Sequence, residues 1–225
     1  VAFSIQGSLP LSPDQNEDLA EQADQTDSLA RISRNAAKAV SFLEGFQFEE
    51  TPLLELSIKD PEGETSPEFT LNMDHRGVSV HRGYAFQEIT IDAVYKNSIL
   101  DLKDFMVRES SDRFLKASGE VQFVNEVFSL SVENNLRRVG LEALLPFSLG
   151  SLLDTLQLRL EDRCDFVLQI GQNTFENPGK RFSGVFYVEN GFYRDAFFQE
   201  LSMKISRDGP DLKLWDVEGV LGQGK

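Results

Sequence analysis

Residues 89–110 read ITIDAVYKNSILDLKDFMVRES, and their period decides the fold. Ile89, Ile91 and Ala93 alternate up to Lys96-Asn97, and Leu100 and Leu102 open the next segment. A period of two marks a strand with one buried face, and so short a connection joins antiparallel neighbours. The pattern continues downstream in Leu115, Ala117, Gly119, Val121 and Phe123, then past Asn125 in Phe128, Leu130 and Val132. Upstream, Phe69, Leu71 and Met73 alternate up to Arg76-Gly77, which reads as a two-residue turn. Before them, Phe46, Phe48, Leu54, Leu56 and Ile58 run to the breaker Asp60-Pro61-Glu62-Gly63. Val1 to Leu9 also alternates, so the chain reads as an antiparallel meander with one end strand.

Two stretches change period. Leu29, Ile32, Ala36, Val40 and Leu43 recur at three- and four-residue steps, which predicts a helix ending at Gly45. Leu141, Leu144 and Leu145 precede Pro146, and Leu149, Leu152 and Leu153 follow it, predicting two short helical pieces. The polar stretch 10–27 carries Asp14, Glu17, Asp18, Glu21, Asp24 and Asp27 with no base between them. It reads as a solvated linker, since the oxygen spacing and glycine of a calcium loop are missing.

After the second helical region the order of elements starts again. Leu156 and Leu158 are followed by Phe166, Leu168 and Ile170, up to Asn177-Pro178-Gly179. Phe86-Gln87-Glu88 recurs as Phe198-Gln199-Glu200, a shift of 198 − 86 = 112. Held without gaps from Arg82 to Arg108, that shift gives 7 identities in 27 positions, where average residue usage gives roughly two. Leu54, Leu56 and Ile58 shift by 112 onto Phe166, Leu168 and Ile170, and with a small insertion the turn at Arg76-Gly77 shifts by 190 − 76 = 114 onto a second at Asn190-Gly191. The expected fold class is therefore mainly β with a few helices: a curled antiparallel meander sheet, groove-like, built from a repeated helix-plus-six-strand unit. Its divisions are an end strand and acidic linker (1–27), a first unit (28–137) and a truncated second unit (138–225).

Each copy slips phase at one place. Leu102 is followed by Phe105 and Val107, and Leu214 by Val217, with Asp104 and Asp216 at the slips. An aspartate there either forms a β-bulge, which would curve the sheet, or ends the strand.

Composition narrows the functions. A net charge of −15 without a basic cluster excludes nucleic acid and disfavours anionic membrane surfaces. Against 4 Tyr and 1 Trp stand 18 Phe, which supply large apolar area with no polar handle. Cys164 is the only cysteine, so no intrachain disulfide forms. Val139 to Leu160 is the greasiest stretch, but Glu142, Pro146, Gly150 and Asp154 argue against a membrane span. A chain starting at Val1 without a signal peptide reads as a mature form or a piece of a longer protein.

His75 and His81 are the acid–base or metal candidates. With a turn at Arg76-Gly77, residue 75 would face 78 and residue 81 would face 72, so the two read as surface histidines. No nucleophile elbow, Cys-His pair, zinc-protease or phosphate-loop pattern occurs, and the expectation is no enzyme, no metal and no cofactor.

The helix followed by FLEGFQFEETPLLELSIKD at 42–60, the hairpin at 89–110, and FLKASGEVQF with FSLSVENNL within 114–136 resemble the AsmA-like superfamily of bacterial envelope proteins. That superfamily includes TamB and the repeating-β-groove lipid-transfer proteins, and the resemblance covers 28–225. It implies a periplasmic, cell-envelope protein of a Gram-negative-type bacterium, anchored through a part not present here. The implied function is an apolar groove for phospholipid transport between membranes or for outer-membrane biogenesis. Implied partners are phospholipid acyl chains, flanking repeats of a longer chain and an envelope protein. The groove candidates are Phe69, Leu71, Met73, Ile89, Ile91, Leu100, Leu102, Val121, Phe123, Phe128 and Leu130, then Phe166, Leu168, Ile170, Phe182, Phe186, Leu201, Met203, Leu212 and Leu214. The alternative is a structural or adhesive β-repeat module with a filled core, binding protein or glycan on its polar face.

Overall fold

Short connections fold much of this chain back on itself, strand against neighbouring strand. The computed structural model describes residues 2–8, 45–59, 68–144, 158–174, 179–193 and 196–222. The strands are β1 (Ala2–Ser8), β2 (Phe46–Phe48), β3 (Leu53–Lys59), β4 (Glu68–His81), β5 (Tyr84–Lys96) and β6 (Ile99–Ser110). They continue as β7 (Arg113–Gln122), β8 (Val127–Asn134), β9 (Leu158–Thr174), β10 (Arg181–Tyr193), β11 (Ala196–Asp208) and β12 (Asp211–Leu221). Helix α1 (Arg138–Leu144) lies between β8 and β9. The helix predicted over 28–44, the acidic stretch 10–27, the breaker at 60–63, the break at Pro146 and Asn177-Pro178 fall outside the described residues.

The protein is mainly β, an open antiparallel sheet in the order β1-β3-β4-β5-β6-β7-β8-β9-β10-β11-β12, with β2 added on the end of β4. Hairpin chemistry explains the meander. Arg82 (φ 48°) and Gly83 (φ 80°) connect β4 to β5, and Asn97 (φ 53°) and Ser98 (φ 64°) connect β5 to β6. Positive φ at both central residues is the turn whose twist matches that of paired strands.

Arg76-Gly77 and Asn190-Gly191, expected to be turns, lie inside strands. β4 runs through the first and shifts register against β5 between Arg76 and Ser79; β10 runs through the second and shifts against β9 between Glu189 and Gly191. Residues that tolerate unusual backbone suit a bulge as well as a hairpin, and long-range pairing decided between them.

The phase slips are bulges. β6 shifts register between Leu102 and Phe105 against β7, and β12 shifts between Trp215 and Glu218 against β11. Asp216 has φ 50°. Lys116 Nζ lies 3.1 Å from Asp104 Oδ1, and Lys204 Nζ lies 2.7 Å from Asp216 Oδ2, so each bulge aspartate holds a lysine of an adjacent strand.

Helix α1 follows β8 through an asparagine clamp. Asn134 Nδ2 donates to Cys164 O at 2.9 Å, tying β8 to β9. Asn135 Oδ1 accepts the Phe114 N–H at 2.6 Å, and its Nδ2 donates to Asp112 O at 2.8 Å, tying β8 to the start of β7. Leu141 and Leu144 are buried, and α1 touches both β5 and β9. Gly140 permits the approach, since a Cβ there would stand 2.8 Å from Tyr84 Cε1.

Candidate apolar face

Register places alternate residues of successive strands in continuous rows across the sheet. One row runs Leu54, Met73, Ile91, Phe105, Ala117, Val132, Leu168, Gly184, Ile205 and Leu214, from β3 to β12. It carries no polar side chain. The next row toward α1 runs His75, Ile89, Val107, Leu115, Asn134, Phe166, Phe186 and Met203. All of these are buried.

On the far side of the central row lie Leu71, Ala93, Leu102, Gly119, Leu130, Ile170 and Phe182, and beyond them Phe69, Tyr95, Leu100, Val121 and Phe128. Here Leu71, Leu100, Leu102, Val121, Leu130 and Ile170 are only half-buried. The face is thus closed beside α1 and more open away from it. The opposite face carries Glu55, Asn72, Asp92 and Asp104 in one cross-strand row.

The predicted groove residues come together on this face. Met73, Ile89, Ile91, Phe166, Phe182, Phe186, Leu201 and Met203 belong to one buried cluster, and Leu71, Leu100, Leu102, Leu130, Leu168, Ile170 and Leu212 pack against it. Phe69 and Phe128 are buried. Phe123 lies in the β7–β8 turn against Tyr95, ring centroids 6.1 Å apart. Leu214 sits on the edge strand and is 42% exposed.

Sequence reasoning passed over Phe86, Val107, Leu136, Val188 and Ile205, all buried in the same cluster. Phe86 carried a usable signal, the recurrence of Phe-Gln-Glu. Its position breaks alternation with Ile89, beside the register shift of β4 against β5 between Arg76 and Ser79.

The two histidines, expected at the surface, are buried on this face at 4% and 6% exposure. Because β4 continues through Arg76-Gly77, His75 pairs with Ile89 and His81 with Tyr84. His81 stacks on Phe46 with centroids 4.4 Å apart, and its Nδ1 lies 2.7 Å from Gly45 O, which fastens the start of β2. His75 meets the edge of Phe48 at 4.9 Å. No group of three or more His, Cys, Asp or Glu among the described residues is placed to hold a metal ion.

The titratable groups nearest α1 form a structural cluster. Glu109, buried on β6, accepts the backbone N–H of Arg137 at 3.3 Å and forms an ion pair with its guanidinium. Burial, then Glu109, raise the Tyr84 hydroxyl above its ordinary value, with Arg137 opposing. Burial, then Asp165, push the Cys164 thiol up to about 12, so it is held as an inert thiol.

On the polar face, Glu55, Asp74, Asp92, Asp104, Thr90 and Met106 help line an open concavity of about 390 Å³. No helix among the described residues is long and apolar enough to cross a membrane. Comparison with protein-family models, with curated proteins and with solved structures finds no match.

Proposed function

We propose that the apolar face is the wall of a groove that carries phospholipid acyl chains, in an envelope protein of the AsmA-like kind. The observation that carries this reading is the set of cross-strand rows, apolar through Ala93, Leu102, Leu130 and Ile170, in which Leu71, Leu100, Leu102, Val121, Leu130 and Ile170 are only half-buried while Phe69, Ala93, Phe128 and Phe182 are buried. An acyl chain has no group to hydrogen-bond, so a wall that offers it methyl and aromatic surface without polar atoms is the matching chemistry. The role is carriage, with no bond made or broken.

Curvature supports the reading. The bulges at Asp104 and Asp216, placed 112 residues apart, would add bend at recurring intervals. The resemblance of 42–60, 89–110 and 114–136 to AsmA-like proteins favours a periplasmic setting and the helix-plus-six-strand repeat.

The test is native mass spectrometry of protein purified from a lipid-containing host. The expected result is co-purifying phospholipid that is lost in Leu102→Asp, with β-sheet circular dichroism unchanged. A lipid-free mass, together with no uptake of a fluorescent fatty acid, would rule the groove out. A second reading, recognition on the polar face, is favoured by the carboxylate-lined concavity. It predicts that Asp92→Asn with Asp74→Asn abolishes binding of a cationic partner and leaves lipid content untouched.

A further inference from the structure

The outer edge of β12 repeats the edge that β6 presents to β7, and we propose that it is a docking edge for an antiparallel strand of β7's chemistry. Among the described residues β12 pairs only with β11. Its Leu214, Trp215, Val217, Val220 and Leu221 are 41–68% exposed. Edge strands are normally kept short, charged or covered, because their free N–H and C=O groups template further pairing; β12 is 11 residues long, with Asp211, Lys213, Asp216 and Glu218 among its apolar residues.

Three observations identify the occupant. β6 and β12 coincide at the shift of 112, with Leu100 on Leu212, Leu102 on Leu214 and Asp104 on Asp216. Both strands bulge there, so the free edge of β12 offers hydrogen-bonding groups in the same broken register that β7 satisfies on β6. Charge then fits better than in the original pair. On β6, Glu120 of β7 faces Asp101 and Lys116 faces Met106. Shifted by 112, the same two positions face Lys213 and Glu218, giving an opposite charge at each. A strand of this kind has apolar residues on one face and a glutamate and a lysine, four residues apart, on the other. This inference stands whatever fills the apolar face.

Trp215 lies on this strand and is the only tryptophan of the chain, so it reports occupancy directly. The experiment titrates a synthetic peptide of residues 113–122, which contains no tryptophan or tyrosine, into the full chain. The expected result is a saturable blue shift of Trp215 emission and about tenfold slower amide exchange across 211–221. A peptide with Lys116→Glu and Glu120→Lys should not bind the wild-type chain, and should bind a Lys213→Glu, Glu218→Lys double variant.

Because a free peptide orders itself on binding, a tethered form makes the test independent of weak affinity. Residues 111–122 appended after Gly222 should protect β12 from exchange, and a scrambled tail should not. Equal responses to native and scrambled strands would overturn the proposal. So would β12 protection that grows with protein concentration alone, which would assign the edge to a second copy of the chain.

Discussion

Glu109 on β6 accepts the backbone N–H of Arg137 at 3.3 Å and ion-pairs with the side chain of the same residue, at the entry to α1. The two partners are unequal: the Glu109 side chain is 4% exposed and that of Arg137 is 56% exposed. Removing the arginine therefore strands a buried carboxylate, while neutralising the glutamate leaves a cation that water can solvate. Arg137→Ala should cost about 2–3 kcal/mol, below the range for fully buried pairs because half of the arginine is wet. Glu109→Gln keeps an acceptor for the backbone N–H and should cost only about 1 kcal/mol. Urea midpoints of the two variants check the order, and equal losses would mean that the pair is solvated.

Cys164 sets a pH dependence. Its thiol titrates at about 12 in the folded chain, against an ordinary value of 9.0. Between these values the folded state holds a proton that the unfolded state has released, so stability is full below about pH 9 and declines as pH rises toward 12. By pH 10 the loss should be on the order of 1 kcal/mol, about one unit's worth. Tyr84, also raised, adds a loss of the same sign from its ordinary value of 10.0 upward. Unfolding free energies at pH 8 and pH 10 should differ less in Cys164→Ala than in the wild type. The native thiol should also resist a thiol-specific reagent until the chain unfolds.

Gly119 and Gly83 both have positive φ, 145° and 80°, and the same substitution should treat them differently. A Cβ on Gly119 would stand 2.2 Å from Ser129 O, a backbone atom of the paired β8, whereas one on Gly83 meets nothing within 4 Å. Gly119→Ala must push two strands apart and should cost at least about 3 kcal/mol. Gly83→Ala bears only the left-handed backbone penalty of about 1–2 kcal/mol. Thermal melts of the two variants provide the comparison.

The strand meander from Ile89 to Val132 was legible because its turns are local: Asn97-Ser98 takes a conformation that its own residues permit, and alternation on either side names the buried face. The bulges at Asp104 and Asp216 left their mark as broken alternation. Arg76-Gly77 and Asn190-Gly191 were misread because the residues that form a hairpin also form a bulge, and the choice lies in pairing with β5 and β9, which no local window contains. The surface reading of His75 and His81 came from that same misreading, since ending β4 at residue 75 removes the pairings of His75 with Ile89 and of His81 with Tyr84. Of the candidate face, Leu100, Leu102 and Leu130 were legible as inward positions. How far each is covered was not, because coverage depends on α1 and on the order of strands across the whole sheet.

That unequal coverage leads to a prediction that separates packing from carriage. Phe86 is 0% exposed and lies against Tyr84 and Phe46, with ring centroids 5.2 and 6.2 Å away, at the closed side of the face. Phe86→Ala should cost about 3–5 kcal/mol by leaving a cavity. Leu102, half-buried in the outer rows, loses less when shortened, and Leu102→Ala should cost about 1–2 kcal/mol. If acyl chains occupy the open side, bound lipid stabilises the folded state in proportion to its occupancy. Delipidation should then lower the melting temperature of the wild type and of Phe86→Ala by similar amounts, and that of Leu102→Asp hardly at all. Equal sensitivity of all three to delipidation would place the lipid elsewhere on the molecule, and insensitivity of all three would make this face an ordinary core.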